Sequence, residues 1–450
     1  MKITAINTYD INFMQKRKKQ AVNKNHTYKK QVIGALGVCF IGIGSIILYN
    51  KTNILNQKIM TENDKKFFNN ILKSLKKNNI DAKIEDLKSI VAPDEFKKLI
   101  KKYKPEQFQV GMQISEAKAQ NIPLEEFYKN AIDGNFRISL HTHSNFSDGN
   151  ATVEEFLESA RKYADKVAKL NKNDGLPPFT IALTDHDCIK GCQEIIKIIA
   201  QNPEKYKNLK FVSGCEFSVQ NGLIHHDITG LALNPFDETL LKVLEDLANN
   251  RINTICEFLD KQPEFDGKKI KYNDLVKYEK EYNASHNKSK RCVENGSGIV
   301  AIRHAIKFYY KMTQQDVNHS IMNKLGDKDI LSIKKVIKSI KNNGGYASLT
   351  HPVKSFWEYI GDDFLTNLKI LGIDGIEVNH QYTPSKITKL GKNNNNISNA
   401  DNLFKEITSQ YKNFAEKNGL FLSGGTDSHK KQIFSRQPEI TKEILEKIYN

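Results

Sequence analysis

What most constrains this chain is a rhythm of short apolar runs, starting near Arg137, each carrying polar residues of metal-binding type at or near its end. The runs are RISLHTH (137–143), FTIALTDH (179–186), KFVSGCEFS (210–218), LIHHDITGLAL (223–233), YASLTHP (346–352), GIDGIEVNH (372–380) and LFLSGGTDSH (420–429). Each has the length of a strand, and amphipathic helical patterns such as TVEEFLESARKYADKVAKL (152–170) lie between several of them. Alternation of strand and helix predicts an α/β fold with parallel strands and helical crossovers. In a barrel of that kind, the chemistry gathers at the C-terminal ends of the strands.

The residues at those ends have the types and spacing that chelation needs. His141 and His143 are two apart on one predicted strand, so both imidazoles leave the same face and aim at one point. Asp148 follows in the turn SDG and offers a carboxylate to a neighbouring ion. His186 closes TDH, and Glu216 closes the next strand, where a carboxylate is costly to bury unless paired or metal-bound. His351 ends YASLTHP, and Asp427 and His429 repeat the two-apart geometry with mixed ligands. Taken singly each motif is ordinary. Converging on one barrel mouth, they exceed what one ion needs and suit two or three bridged by carboxylate. Such a cluster clamps a phosphate, lowers the pKa of a bound water and neutralises a leaving oxygen.

The order HTHSNFSDG, TDHD, GCEFS, THP, GIEVNH and SGGTDSH resembles the PHP family, named for polymerase and histidinol phosphatase, over roughly residues 137–435. The resemblance implies a distorted seven-stranded (βα)7 barrel with a trinuclear centre, manganese first and zinc or iron as alternatives. By motif, His141, His143, Glu216 and Asp427 would hold one ion, and Glu216 would bridge to a second shared with His351. Asp148, His186 and His429 would hold the third and are the catalytic candidates. The fourth strand departs from the family, which places a His three residues before a Gly. Counting back from Gly230 lands on Asp227, not His226. Either Asp227 replaces the imidazole, or a one-residue bulge brings His226 inward. The histidine-rich surroundings favour His226.

Residues 234–340 interrupt the rhythm with helical, polar sequence and are expected to form a cap over the site. Arg251-Ile252 and GIVAIRHAIKFY (298–309) resemble the cap of the nucleotide- and oligonucleotide-acting branch of the family. This implies that Arg303 and His304 contact substrate phosphate; Lys354, just past THP, is a further candidate by its position. The expected activity is hydrolysis of a phosphate ester by metal-activated water, on nucleotides or short oligonucleotides. The alternatives are a histidinol-phosphatase-like phosphomonoesterase and a non-catalytic, membrane-tethered metal-binding module.

Upstream, Val32–Tyr49 is 18 residues without a charge, near the lower limit for spanning a bilayer. Seven Lys and Arg lie in residues 11–30 against four in residues 51–70, which predicts a cytoplasmic basic tail (1–31) and a catalytic domain on the other side. A cleaved signal peptide competes, but the leading polar region is long and no cleavage site follows at once. Residues 50–136 read as a helical stalk, and 436–450 as a C-terminal tail. The net charge of +16 suits anionic substrates. The six cysteines show no zinc-ribbon spacing and no disulfide framework. No protein partner follows from the sequence.

Overall fold

The computed structural model describes residues 60–108, 136–169, 174–221, 224–285, 303–312, 331–353, 359–380 and 397–429. Seven strands follow one another around a sheet: β1 (Ile138–Ser139), β2 (Phe179–Leu183), β3 (Leu209–Asn221), β4 (Ile224–Leu231), β6 (Tyr346–Leu349), β7 (Gly375–His380) and β8 (Phe421–Gly425). A short β5 (Leu331–Ser332) pairs with β3 off this path. The sheet closes on itself just beyond the short β1. The Leu140 amide donates to the Gly424 carbonyl, the Asp427 amide to His141 and the His143 amide to Ser428, each at 2.9 Å. The α/β barrel expected from the rhythm of runs is therefore present.

One expectation about it fails. The strands are not all parallel, because β3 and β4 form a hairpin with no helix between them, and β4 is antiparallel to both β3 and β6. A strand that runs backwards presents its start, not its end, at the mouth where its neighbours finish. This is why the polar HHD of LIHHDITGLAL comes before the apolar residues.

Alternation decides what faces inward. On β2, Phe179, Ile181 and Leu183 belong to the large outer core, while Ala182 belongs to a smaller inner cluster with Ile138, Leu140, Val212 and Leu231. The outer core is covered by α3 (Val153–Lys169), α4 (Lys190–Gln201), α8 (Ile333–Asn342) and their neighbours α9 (Asp362–Leu371) and α10 (Ile397–Lys417). The α3 helix starts at a capping box: the Glu155 amide donates to Thr152 Oγ1 at 3.2 Å, and the Thr152 amide donates to Glu155 at 3.0 Å.

The stretch read as a stalk is, in its described part, an element of the barrel. The helices α1 (Glu62–Lys77) and α2 (Pro93–Ile100) pack in the two cores through Phe67, Phe68, Ile71 and Leu75 and through Phe96, Leu99 and Ile100. Ile90 bridges to Phe211, and Tyr103 is hydrogen-bonded to Thr180 at 2.7 Å among buried residues. This segment closes the end of the barrel opposite the ligand-bearing strand ends. An amphipathic helix needs a partner for its apolar stripe, and here the barrel supplies it.

The cap is also narrower than 234–340. Helix α5 (Glu238–Asp260) is shared: Leu240 and Leu244 pack in the barrel core, and Ile255, Phe258 and Leu259 in a separate one. That second core is completed by residues of α6 (Tyr272–Ser285) and α7 (Arg303–Tyr310), with Ile270, Leu275, Ala305 and Ile306 buried in it. Helix α8, expected in the cap, packs Val336, Ile337 and Ile340 against the barrel instead. Among the described residues no helix is long and apolar enough to cross a membrane. Val32–Tyr49, the basic tail before it and the C-terminal tail lie outside the described residues.

Candidate metal centre

The barrel mouth brings together every residue singled out as a ligand except His226. Ligand atoms fall within 4.8 Å of one another in four overlapping groups: His143, Asp148, His186 and His429; His141, His143 and Glu216; His141, His351 and Asp427; and His186, Glu216 and Asp227. Glu216 is at the centre. One carboxylate oxygen is 2.9 Å from His141 Nε2, 3.2 Å from His143 Nε2 and 3.4 Å from His186 Nε2. The other is 3.2 Å from His351 Nε2. His429 Nε2 meets Asp148 Oδ2 at 3.0 Å, and Asp427 Oδ1 is 3.3 Å from His143 Nε2.

The fourth-strand question has a geometric answer. The β3–β4 ladder is regular from Gly214–Leu231 to Asn221–Ile224, with no bulge. Directly opposed residues share a face, so Asp227, opposite Ser218, points into the barrel with Glu216. His226, opposite Val219, points outward. It is buried with its ring 5.4 Å from that of Phe364. The expectation that a bulge would bring His226 inward is therefore corrected.

The charges at the mouth are interdependent. Burial opposes ionisation of Glu216, but His141 and His186 outweigh it and hold the carboxyl well below its usual range. Asp148 is likewise disfavoured by burial and held well below normal by His429, His186 and His143. Burial and the neighbouring His429 lower the pKa of His143. His141 is disfavoured as a cation by burial, yet Glu216 and Glu377 beside it raise its pKa to about 10.

This donor set fits divalent metal. Nε2 of His141 and Nε2 of His143 are 3.0 Å apart and directed at each other, an arrangement that requires a proton or a cation between two lone pairs. His143 Nδ1 is buried with no hydrogen bond. Imidazole nitrogens and carboxylate oxygens gathered in one buried cluster are ligands for divalent metal ions.

Three residues to which the motifs assigned no role support the site. The Asp185 carboxylate accepts from the Ser144 amide, Ser144 Oγ and Ser147 Oγ, each at 2.7 Å, and so anchors the turn that carries Asp148. Glu377 of β7 lies beneath His141 at 3.0 Å. Arg251 of α5 is 7% exposed; one guanidinium nitrogen donates to Asp187 Oδ2 at 2.5 Å, and the other, Nη1, is buried without a partner. Glu377 lies inside the quoted GIEVNH; for Arg251 the added signal was a charged residue on an otherwise apolar helix face, which is rarely buried without a purpose. Arg303 and His304 open α7, but their side chains lie outside the described ones, as does Lys354.

No family model matches the chain. It is 31% identical over 115 residues to the 3',5'-nucleoside bisphosphate phosphatase of Chromobacterium violaceum, a match covering 26% of this chain and 34% of that protein. The chain thus spans about a third of the length of this curated relative. Two solved structures resemble it over 69% of its length at 18% identity. One is a proposed metal-dependent phosphoesterase from Bifidobacterium adolescentis (94% of that chain, TM-score 0.43), and the other an amidohydrolase from C. violaceum with bound sulfate (95%, TM-score 0.41). A two-domain protein from Bacteroides vulgatus containing a predicted PHP-like metal-dependent phosphoesterase resembles it at 13% identity, over 66% of this chain and 52% of that one, with a TM-score of 0.28. The order of the motifs resembles the PHP family, and their donors meet at one barrel mouth.

Proposed function

We propose that this protein is a metal-dependent phosphoesterase that hydrolyses phosphate esters of nucleotides or short oligonucleotides. The observation that carries this is the set of overlapping imidazole–carboxylate groups around Glu216, too rich in donors for one ion. Two or three divalent ions held there, manganese foremost, would supply a water of lowered pKa and neutralise charge on the phosphoryl oxygens. His141, His143, Glu216, Asp227, His351 and Asp427 would hold them at the buried end, and Asp148, His186 and His429 at the open end.

The chain's own groups then divide the remaining work. His186 and His429 have side chains 25% and 29% exposed, against 5% or less for His141, His143 and His351. They are the imidazoles a substrate meets first. His429 Nε2 lies 3.0 Å from the ionised Asp148, so this pair would hold an ion at the edge of the mouth that a substrate reaches first. Arg251 keeps Nη1 free for a phosphate oxygen while Asp187 fixes its other nitrogen. A groove of about 590 Å³ begins at Asp187 and is lined by Ile189, Leu241, Leu244 and Ile252 together with Lys190 and Lys242, which gives a substrate larger than phosphate a mixed apolar and charged surface. The nucleotide preference draws on this groove and on the C. violaceum relative.

The test is release of inorganic phosphate from bisphosphorylated nucleotides, dinucleotides and histidinol phosphate with added manganese. Preference for histidinol phosphate would move the substrate to small phosphomonoesters. No turnover of any of them with manganese, zinc or iron would leave a non-catalytic metal-binding module. The same proposal includes a single-pass tether through Val32–Tyr49 with the barrel on the non-cytoplasmic side, supported by the uncharged run and its unequal basic flanks. Recovery of the full chain in the soluble fraction after cell lysis would refute the tether.

A further inference from the structure

Glu377 is a buried carboxylate on β7, between Ile376 and Val378, below the donor cluster. A carboxylate there is costly to bury without partners that make use of its charge. The pairing of β7 with β8 shifts register between Glu377 and Asn379: Glu377 opposes Ser423, and Asn379 opposes Gly424. Val378 is thus the extra residue of a bulge. Glu377 comes just before it, in the regular part of the ladder, on the face it shares with Gly375. Its Oε2 lies 3.0 Å and its Oε1 3.3 Å from His141 Nδ1, and the amide of His351 donates to Oε2 at 2.9 Å. Beneath this layer, Ser348 and Ser423 are hydrogen-bonded to each other at 2.8 Å, so the polar floor of the mouth is continuous.

We propose that Glu377 is a positioning residue for the metal centre, fixing His141 in the tautomer that turns its Nε2 lone pair toward the ions and holding the His351 backbone in place. This rests on the metal-centre reading above. An ionised carboxylate only accepts hydrogen bonds, so Nδ1 of a neutral His141 must carry the proton and Nε2 is left unprotonated. Nε2 is the atom 2.9 Å from Glu216 and 3.0 Å from His143 Nε2, where an ion would sit. The same carboxylate restrains His351, whose backbone has the unusual φ of +29°. One side chain on β7 therefore sets the direction of two imidazoles from two other segments.

The experiment is metal binding without substrate. Glu377→Gln keeps size and shape but replaces one acceptor oxygen with an NH2. In either orientation the NH2 faces His141 Nδ1, at 3.3 Å in the place of Oε1 or at 3.0 Å in the place of Oε2, where it also opposes the His351 amide, and the negative charge is lost. Chelator-competition titration with manganese, metal count per chain and the visible spectrum of the cobalt-substituted protein are compared with wild type. The expected result is about 10- to 100-fold weaker binding of the tightest ion, with a changed cobalt spectrum. The loss should be much smaller in a His141→Ala background, because part of the effect passes through that ring. If Glu377→Gln does not fold, Glu377→Asp, whose carboxylate ends about 1.5 Å short, is read the same way. Binding within twofold of wild type with an unchanged cobalt spectrum overturns the inference and leaves the metal centre standing. A wild-type chain that binds no divalent ion overturns the metal-centre reading, and this inference with it.

Discussion

Closure of the barrel at β8 and β1 leaves no room for a side chain at Gly425, and replacing it with alanine is the sharpest test of the architecture. A Cβ there would lie 2.5 Å from the His141 amide nitrogen, 2.6 Å from His141 Cβ and 2.9 Å from its Cα. These are backbone and near-backbone atoms that cannot swing aside. The φ of Gly425 is outside the left-handed region, so alanine is excluded by contact alone. Bringing the shortest contact to the 3.4 Å of ordinary packing requires the strands to part by about 0.9 Å. That would carry the bonds from Leu140 to Gly424 and from Asp427 to His141 well beyond their present 2.9 Å. Two buried backbone bonds at about 1 kcal/mol each, with an overpacking cost of about 1–3 kcal/mol, give a loss of about 3–5 kcal/mol. His141 would move with its strand, so the variant should also bind fewer ions. Urea denaturation of the metal-free protein and metal analysis of the loaded protein measure the two effects. Gly175→Ala is the control. Its φ is +71° with nothing within 4 Å of the added carbon, so strain of about 1–2 kcal/mol and full metal content are expected. A Gly425→Ala protein with wild-type stability and metal content would refute the closed barrel.

Three further outcomes follow from the same geometry. Asp227→Ala should bind fewer ions per chain, whereas His226→Ala should keep full metal content and lose about 1–3 kcal/mol of packing against Phe364; the reverse pattern would mean that the β4 register is wrong. In the metal-free protein, His141 is raised from 6.5 to about 10, with Glu216 and Glu377 overcoming burial. Its contribution to stability is therefore complete below about pH 6.5 and is lost as pH rises toward 10. Apparent metal affinity should climb by up to about tenfold per pH unit over that window, since binding displaces the proton. Melting curves of chelated protein that do not fall between pH 7 and 9, or affinity independent of pH, would contradict this. Finally, removing residues 60–108 should expose Leu140, Ala182 and Val212 and abolish soluble expression, while Tyr103→Phe should cost about 1 kcal/mol and leave metal binding unchanged. A soluble, metal-binding fragment beginning at residue 136 would restore the stalk reading.

The sequence revealed what is local and concealed what depends on pairing. His141 and His143 are two apart on one strand, so their convergence follows from the pleat. Asp427 and His429 likewise belong to one short stretch. The choice between His226 and Asp227 could not be read this way, because the side that faces inward is set by register against β3, and a shift of one residue exchanges them. The reversed direction of β4 was concealed for a related reason: a polar group before an apolar run looks like a turn unless the hairpin is known. In FFNNILKSL the helical period was legible, but the core that its apolar face joins is built mostly from residues beyond 136. Glu377 lies within GIEVNH, but the motif assigned it no role; what marks it is the cost of burying a carboxylate there.

Backbone strain shows why the site needs the closed sheet. Asp187, His351 and Asp427 have φ of +47°, +29° and +46°, conformations that cost non-glycine residues about 1–2 kcal/mol each. Each follows a strand, where the chain must turn away from the barrel axis while the site stays in place. In each case the strained residue's amide is held by a different segment: Asp187 by the Glu216 carbonyl, His351 by Glu377 and Asp427 by the His141 carbonyl, all at 2.9 Å. The strain is therefore supported by bonds between neighbouring segments around the barrel, not by the loops that carry it. Opening the barrel at any seam would release one strained turn and misdirect the ligands beside it. Disruption at β8 and β1 should accordingly act first on His141 and Asp427, and disruption between β2 and β3 on His186 and Glu216.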